Sequence, residues 1–350
     1  MSLSITIEKK RIFLRLKIKY KIKIIHIFVM IEEYVNRLVD DLDSIKYTSE
    51  PIQMDLVLEG GAFNGSYLAG ALYFLREMER RKYIKINRIS GCSVGSLLAF
   101  LYLIDGLDSS ETIYVDIYKK FKQIHNLDCI KDLKYMLDKA IKKNDDICNL
   151  VNNRLFITYH DMSKQTKPVK SVFRNIDDII DTIIRSCFVP VLIDGNLTYK
   201  NKYMDGITPF VFESEPIVTN ITNTTNTTNT TKNKILYLNI CGYDRFTHIF
   251  NVKNEASNFH RMLIGVLDVH HFYTKQQNNN MCSYVDDFNI KHNITYKIKL
   301  SIERIIVLYI SILIYLQSII PGYCYDTFLY KFIYKIAKDF CKMYIETYCI

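Results

Sequence analysis

Six of the twelve glycines in this 350-residue chain fall between Gly60 and Gly95. Glycine is otherwise scarce here, so the cluster marks backbone that must turn sharply or run close against other backbone. Its two parts occupy equivalent places. Gly60, Gly61 and Gly65 separate a short apolar run, residues 54–59, from a segment where Leu68, Leu72, Leu75 and Met78 recur at helical spacing. Gly91 and Gly95 separate a second short run, residues 87–90, from an apolar helix ending near Gly106. Strand, helix, strand, helix at this interval predicts right-handed crossovers. The expected class is therefore α/β, a three-layer sandwich whose mostly parallel central sheet is flanked by helices.

Composition agrees with a folded chain. Apolar residues make up 49% and charged residues 24%, which excludes a disordered or collagen-like polymer. Nine scattered cysteines form no CxxC pair, which points to a reducing, intracellular setting and away from a disulfide framework or a zinc site. No metal or other cofactor is expected. The net charge of +9 is unevenly placed: eight Lys and Arg against Glu8 in residues 1–29 leave the remainder near neutral. With no nucleic-acid motif in the body, a nucleic-acid partner is not expected. The arm alternates Lys with Ile and Tyr at strand-like period. It reads as a peripheral anchor for anionic lipid, or as sequence upstream of a start at Met30. A secretory signal is disfavoured, because basic residues interrupt its apolar core.

A helix is expected over residues 30–50, ending at Pro51. Two or three helices are expected over 111–150, strands at 155–159 and 169–173, and a helix at 177–186. Residues 219–233 are an Asn/Thr-rich low-complexity insertion that cannot bury apolar surface, so disorder is expected there. Its Asn-x-Thr triplets at Asn220, Asn223, Asn226 and Asn229 match the glycosylation pattern incidentally in an intracellular protein. A buried strand resumes at 234–240, and 246–350 reads as a helical C-terminal region. The uncharged stretch near 305–320, cut by Pro321, is short for the hydrocarbon core; a buried helix is preferred over a membrane span.

The chemistry begins at Gly91-Cys92-Ser93-Val94-Gly95, a GxSxG placed between strand and helix. A nucleophilic serine must project from a strained strand-to-helix turn, where side chains at Gly91 and Gly95 would strike neighbouring backbone. Serine needs a base. His248, His260, His270, His271 and His292 follow it in the chain, and none has a distinctive setting. The loop Glu59-Gly60-Gly61-Ala62-Phe63-Asn64-Gly65 presents backbone N–H groups at a helix N-terminus, which suits a phosphate or an oxyanion. It lacks the Gly-Lys-Ser/Thr of a phosphate-binding P-loop.

A third element is Tyr203-Met204-Asp205-Gly206, following Arg185-Ser186-Cys187-Phe188-Val189-Pro190. With these three motifs in order, residues 54–245 resemble the patatin-like phospholipase family. The resemblance implies a lipid acyl hydrolase, of phospholipase A type, working through a Ser93–Asp205 dyad without histidine. It further implies an oxyanion hole at Gly60, Gly61 and Ala62, with Asn64, Gly65, Gly91, Gly95 and Gly206 supporting the motifs. Its substrate would be a phospholipid or another lipid ester, met at a membrane surface. Three positions depart from the family pattern: Ala62 replaces a third glycine, Asn64 replaces Arg or Lys, and Ile207 follows Asp205-Gly206 where Gly or Ala is usual. The alternative is a catalytically weak or inactive lipid-binding protein on the same fold. Asp194-Gly195 is a second Asp-Gly pair and reads as a turn. The Ile-, Lys-, Asn- and Tyr-rich composition fits an AT-rich genome, such as that of a large DNA virus or a protist.

Overall fold

The computed structural model describes residues 30–42, 50–141, 146–213, 233–253, 255, 257–288, 290–321, 323, 324 and 327–350. The basic arm and nearly all of the Asn/Thr-rich insertion lie outside the described residues. Helix α1 covers residues 30–42. Its Ile31, Val35, Leu38, Val39 and Leu42 form one buried stripe, the spacing of a helix that lays a single face on a core.

Strand β1 (Ile52–Leu58) leads through the glycine loop into α2 (Gly65–Arg80), and β2 (Ile84–Gly91) leads into α3 (Val94–Leu103). Next come α4 (Ser110–Ile124), α5 (Leu133–Ile141) and α6 (Ile147–Val151), then β3 (Leu155–Asp161), β4 (Val169–Lys170), α7 (Ile176–Ser186) and β5 (Tyr203–Asp205). After the insertion come β6 (Lys234–Leu238), α8 (Phe259–Lys275), β7 (Cys282–Tyr284), α9 (Ile290–Ile319) and α10 (Phe328–Tyr344). The result is a mixed α/β fold around a seven-stranded sheet, ordered β4-β3-β2-β1-β6-β7, with β5 also pairing β3. The β1–β2, β1–β6 and β2–β3 pairs are parallel; β4, β5 and β7 add antiparallel edges.

Alternation in β1 sets the layers. Met54, Leu56 and Leu58 point into the large core formed with α1 to α3 and α5 to α8. Val57, with Ile235 and Tyr237 of β6, faces a smaller cluster around Phe212, Phe210, Phe156 and Tyr296 of α9. Buried on both faces, the central strands carry the near-continuous apolar runs expected of parallel sheets. Helices α2 and α8 cross very closely. A methyl group on Gly70 would lie 1.9 Å from the Met262 carbonyl oxygen, and one on Gly265 would lie 1.9 Å from that of Tyr67.

Two expectations for the C-terminal region need correction. First, the region also contributes a strand: β7 extends the sheet beside β6. Three residues are too few to show an alternating pattern. Second, the apolar stretch near 305–320 is not a buried helix. It is the distal half of a 30-residue helix, α9, and only 11% of that helix's most apolar stretch is buried. Ile305, Leu308, Ile312 and Leu316 are each about half or more exposed. The helix starts well before its apolar part, in a segment rich in polar residues. Its proximal half reaches the protein through Tyr296 and Glu303.

Candidate active site

Ser93 sits between β2 and α3 with φ 51° and ψ −132°. This is a strained conformation for a residue with a side chain, and its neighbours show why it is imposed. A Cβ on Gly91 would lie 2.6 Å from backbone atoms of Gly95, and one on Gly95 would lie 2.6 Å from the Leu58 carbonyl oxygen. The two glycines let α3 start directly against the end of β1. Gly95→Ala is expected to push α3 off β1 and lower unfolding free energy by about 2–3 kcal/mol, which a urea titration followed by circular dichroism would measure.

Ser186, at the end of α7, fixes the elbow. Its hydroxyl accepts from the Ser93 N–H at 2.9 Å and donates to the Thr158 carbonyl at 2.7 Å. The Ser93 carbonyl accepts from the Ser96 hydroxyl at 2.6 Å. The role of Ser186 carries no signal in the sequence beyond its place ahead of Cys187.

Asp205 ends β5, which lies antiparallel to β3 and pairs Asp205 with Tyr159. Its carboxylate lies near the Ser93 side chain, which helps hold the charged form, and accepts the Ile207 N–H at 2.7 Å. Burial pushes this carboxyl up to about 6, against the opposing pull of the Ile207 amide, the Ser93 hydroxyl and the positive charges of His160 and Lys167. Gly206 is required next to it, because a Cβ there would lie 2.4 Å from the Thr158 carbonyl oxygen. Ile207 then takes φ 59°, a genuine outlier for a β-branched residue. Ile207, where the resemblance expects Gly or Ala, is therefore held in a strained backbone conformation.

Asp194 lies elsewhere, in an exposed turn with Gly195 at φ 83°. It pairs with Lys131 at 2.5 Å. Burial favours a higher value for it, but the Lys131 hydrogen bond and the Asn196 amide outweigh burial and hold it below the usual carboxylate range. The C-terminal histidines bond outside the elbow: His248 with Tyr67, His260 with Glu255, His270 with Thr274 and His292 with the Asn279 carbonyl.

The glycine loop runs beside Ser93. A Cβ on Gly60 would lie 2.8 Å from that of Ser93, and one on Gly65 would lie 2.4 Å from a methyl of Val94. Ala62 adopts φ 44°, so alanine occupies a conformation that glycine takes without cost. The Gly60 amide faces the Cys92 sulfur. Among the described residues, no hydrogen bond uses the amides of Gly61 or Ala62, whereas Phe63 and Asn64 donate to the Ile249 and Gly61 carbonyls. Glu59 anchors the root of the loop: it is buried and accepts from the Ile240 and Cys241 amides at 3.0 and 3.1 Å.

Asn64 is fully buried. Its amide donates to the Ile240 and Arg245 carbonyls, both at 2.9 Å, and its Oδ1 accepts from Arg261 at 2.9 Å. Arg261, from α8, is 1% exposed and also donates to the His248 and Asn251 carbonyls and to Glu255. Asn64 thus meets a buried cation from nearly two hundred residues further along the chain. No local pattern could have shown it.

Ser93 and Ala62 line an apolar cavity of about 100 Å³, together with Phe63, Ala69, Leu97, Leu98, Leu101 and Ile113. The arrangement joins a strained serine, a buried carboxylate near it, uncommitted amides beside it and an apolar cavity. It can perform acyl transfer to serine.

Residues 56–211 match the family model described as patatin-like phospholipase. Among solved structures, the crystal structure of VipD from Legionella pneumophila aligns at 15% identity, covering 49% of this chain and 48% of that one with a TM-score of 0.25. The chain thus spans about half the length of that neighbour. No curated protein sequence matches the chain.

Proposed function

We propose, from the match of residues 56–211 to the patatin-like phospholipase family model, that the protein hydrolyses phospholipid or other lipid esters, in a phospholipase A-type reaction, through a Ser93–Asp205 dyad. The nearness of the buried Asp205 carboxylate to Ser93, on its strained strand-to-helix turn, carries this reading. In it, Asp205 takes the Ser93 proton as Oγ attacks the ester carbonyl. The Gly61 and Ala62 amides face the oxyanion, and the apolar cavity receives the acyl chain. Asp205 then returns the proton to the departing alcohol. Water, activated by the same carboxylate, releases the fatty acid and restores Ser93. A carboxylate held near 6 by burial is a stronger base than an ordinary aspartate, which is what a dyad without histidine needs.

The test is incubation of the purified protein with mixed phospholipid vesicles. Free fatty acid and lysophospholipid are followed by mass spectrometry, and a fluorophosphonate probe is mapped by peptide sequencing. Fatty acid release with the label on Ser93 is the expected result. Lipid binding with neither product nor label would leave only the inactive lipid-binding alternative.

The same reading gives α9 a role at a membrane surface. From Ile305 to Ile319 the helix has no charged residue, and its exposed apolar side chains form one broad face. An uncharged apolar face of this breadth suits a helix lying in the membrane interface. At about 1.5 Å per residue this segment is too short for a ~30 Å hydrocarbon core, so it would insert from one side. Changing both Leu308 and Leu316 to Asp is expected to weaken binding to phosphatidylcholine–phosphatidylglycerol vesicles about 100-fold or more. Hydrolysis of a water-soluble short-chain ester should be unchanged. Equal vesicle binding by the variant would remove α9 from membrane contact.

A further inference from the structure

Helix α9 lies outside the family-matched segment, yet it reaches both catalytic loops from one face. Lys299 and Glu303 are one turn apart, the spacing that puts side chains side by side. The Lys299 ammonium bonds the buried Glu59 carboxylate and, at 2.9 Å, the Asn239 side-chain oxygen. Glu59 in turn holds the Ile240 and Cys241 amides, and the Cys241 thiol donates to the Gly60 carbonyl at 3.1 Å. The chain of contacts therefore runs from α9 to the oxyanion loop.

Glu303 points the other way along the sheet. It is 5% exposed and accepts from Lys167 at 2.6 Å, from the Thr208 hydroxyl, and pairs with His160 Nε2 at 2.9 Å. Thr208 closes the strained turn after Asp205: its N–H donates to the Gly206 carbonyl at 2.6 Å, and its carbonyl accepts from the Thr158 hydroxyl at 3.1 Å. Lys167 also donates to the Thr208 hydroxyl at 2.6 Å. Thr208 and Lys167 together tie the turn that carries the base to α9.

We propose that Lys299 and Glu303 are positioning residues that brace the oxyanion loop and the Asp205 turn against one rigid helix, setting their spacing across Ser93. This rests on the dyad reading above for its catalytic consequence but not for its structural one. The brace answers a need visible on both loops. Ala62 and Ile207 hold positive φ angles that their side chains disfavour, and such conformations persist only where the surroundings over-determine them.

The test compares Glu303→Gln, Lys299→Met and Lys299→Arg in the full chain. Glu303→Gln keeps shape but cannot satisfy Lys167, His160 and Thr208 together. It is expected to lower kcat about 10- to 100-fold with KM nearly unchanged, the pattern of a misplaced catalytic group rather than lost binding. The acid limb of its pH profile should also move down, because Lys167, which faces Asp205 beside His160, loses its counter-charge. The other groups facing Asp205 (Ser93, Cys92, Cys187 and Cys241) are untouched. Lys299→Met should lose about as much, and Lys299→Arg should restore it.

Hydrogen exchange reads the brace without catalysis. Amides of residues 60–64 should exchange faster in Lys299→Met, and those of 205–208 in Glu303→Gln, with Lys299→Arg like the parent. Unchanged exchange in both loops would overturn the brace, as would full kcat and an unmoved acid limb in an active enzyme. If the parent enzyme shows no Ser93-dependent hydrolysis, the dyad reading fails instead, and the exchange comparison still decides the brace.

Discussion

Ser93→Ala is expected to lower kcat/KM for lipid ester hydrolysis by a factor on the order of 10⁴–10⁶, the scale of removing a serine nucleophile from a working site. The substitution deletes one oxygen and leaves the elbow intact. Its Cβ remains in the slot beside Gly60, its N–H still donates to Ser186, and its carbonyl still accepts from Ser96. Alanine meets the same φ of 51° that serine meets. Stability should therefore move little, and an unchanged unfolding midpoint alongside lost turnover assigns the loss to chemistry. Fluorophosphonate labelling of the same variant gives an independent readout and should vanish. Hydrolysis at the parent rate would exclude Ser93 from the mechanism.

Asp205→Asn is expected to cost about 10²–10⁴ in kcat, the range of a positioned general base, while strengthening the fold. The carboxylate must be ionised to take the serine proton. With its carboxyl pushed up to about 6 by burial, the parent enzyme should lose kcat/KM as pH falls through about 6. An ordinary aspartate, at 3.8, would stay active well below that. The same shift has the opposite sign for stability. The folded state holds the proton more tightly than the unfolded chain, so lowering the pH from 7 through about 6 stabilises the protein. At neutral pH the buried charge costs the folded state on the order of 3 kcal/mol. Asparagine has the shape of the carboxyl without the charge, so the variant should unfold at higher urea at pH 7 and lose the dependence between pH 4 and 6. A variant less stable than the parent at pH 7 would mean that the carboxylate is better solvated than its burial implies. Losing activity while gaining stability is the signature of a group kept for chemistry.

The parts of the site readable from sequence were those whose constraint is local. GxSxG shows itself because Gly91, Gly95 and Ser93 meet one another and the end of β1 within a few residues. The glycine loop and the Asp205-Gly206 turn show themselves for the same reason. The parallel order of β1, β2 and β6 followed from the alternation of strand and helix, but the three-residue strands β5 and β7 left no periodic trace. What was not readable is long-range pairing. Glu59, Arg261, Lys299 and Glu303 look in the sequence like any solvated charge; only the fold shows that each is buried against a partner. Helix α9 was misjudged because hydropathy reports what a segment avoids, not what the protein has available to cover it.

The crossing of α2 and α8 at Gly70 and Gly265 has a consequence in time. The helix that opens directly behind the oxyanion loop has its main partner about 195 residues further along the chain. During synthesis at roughly 5–20 residues per second, α2 waits on the order of 10–40 s before α8 exists to cover it. Throughout that interval the α2 face that α8 covers stands open, and Asn64 has no Arg261. A nascent chain of this protein should therefore be a chaperone client until residue 275 has left the ribosome, and substitutions that slow the docking of α8 would act first on yield.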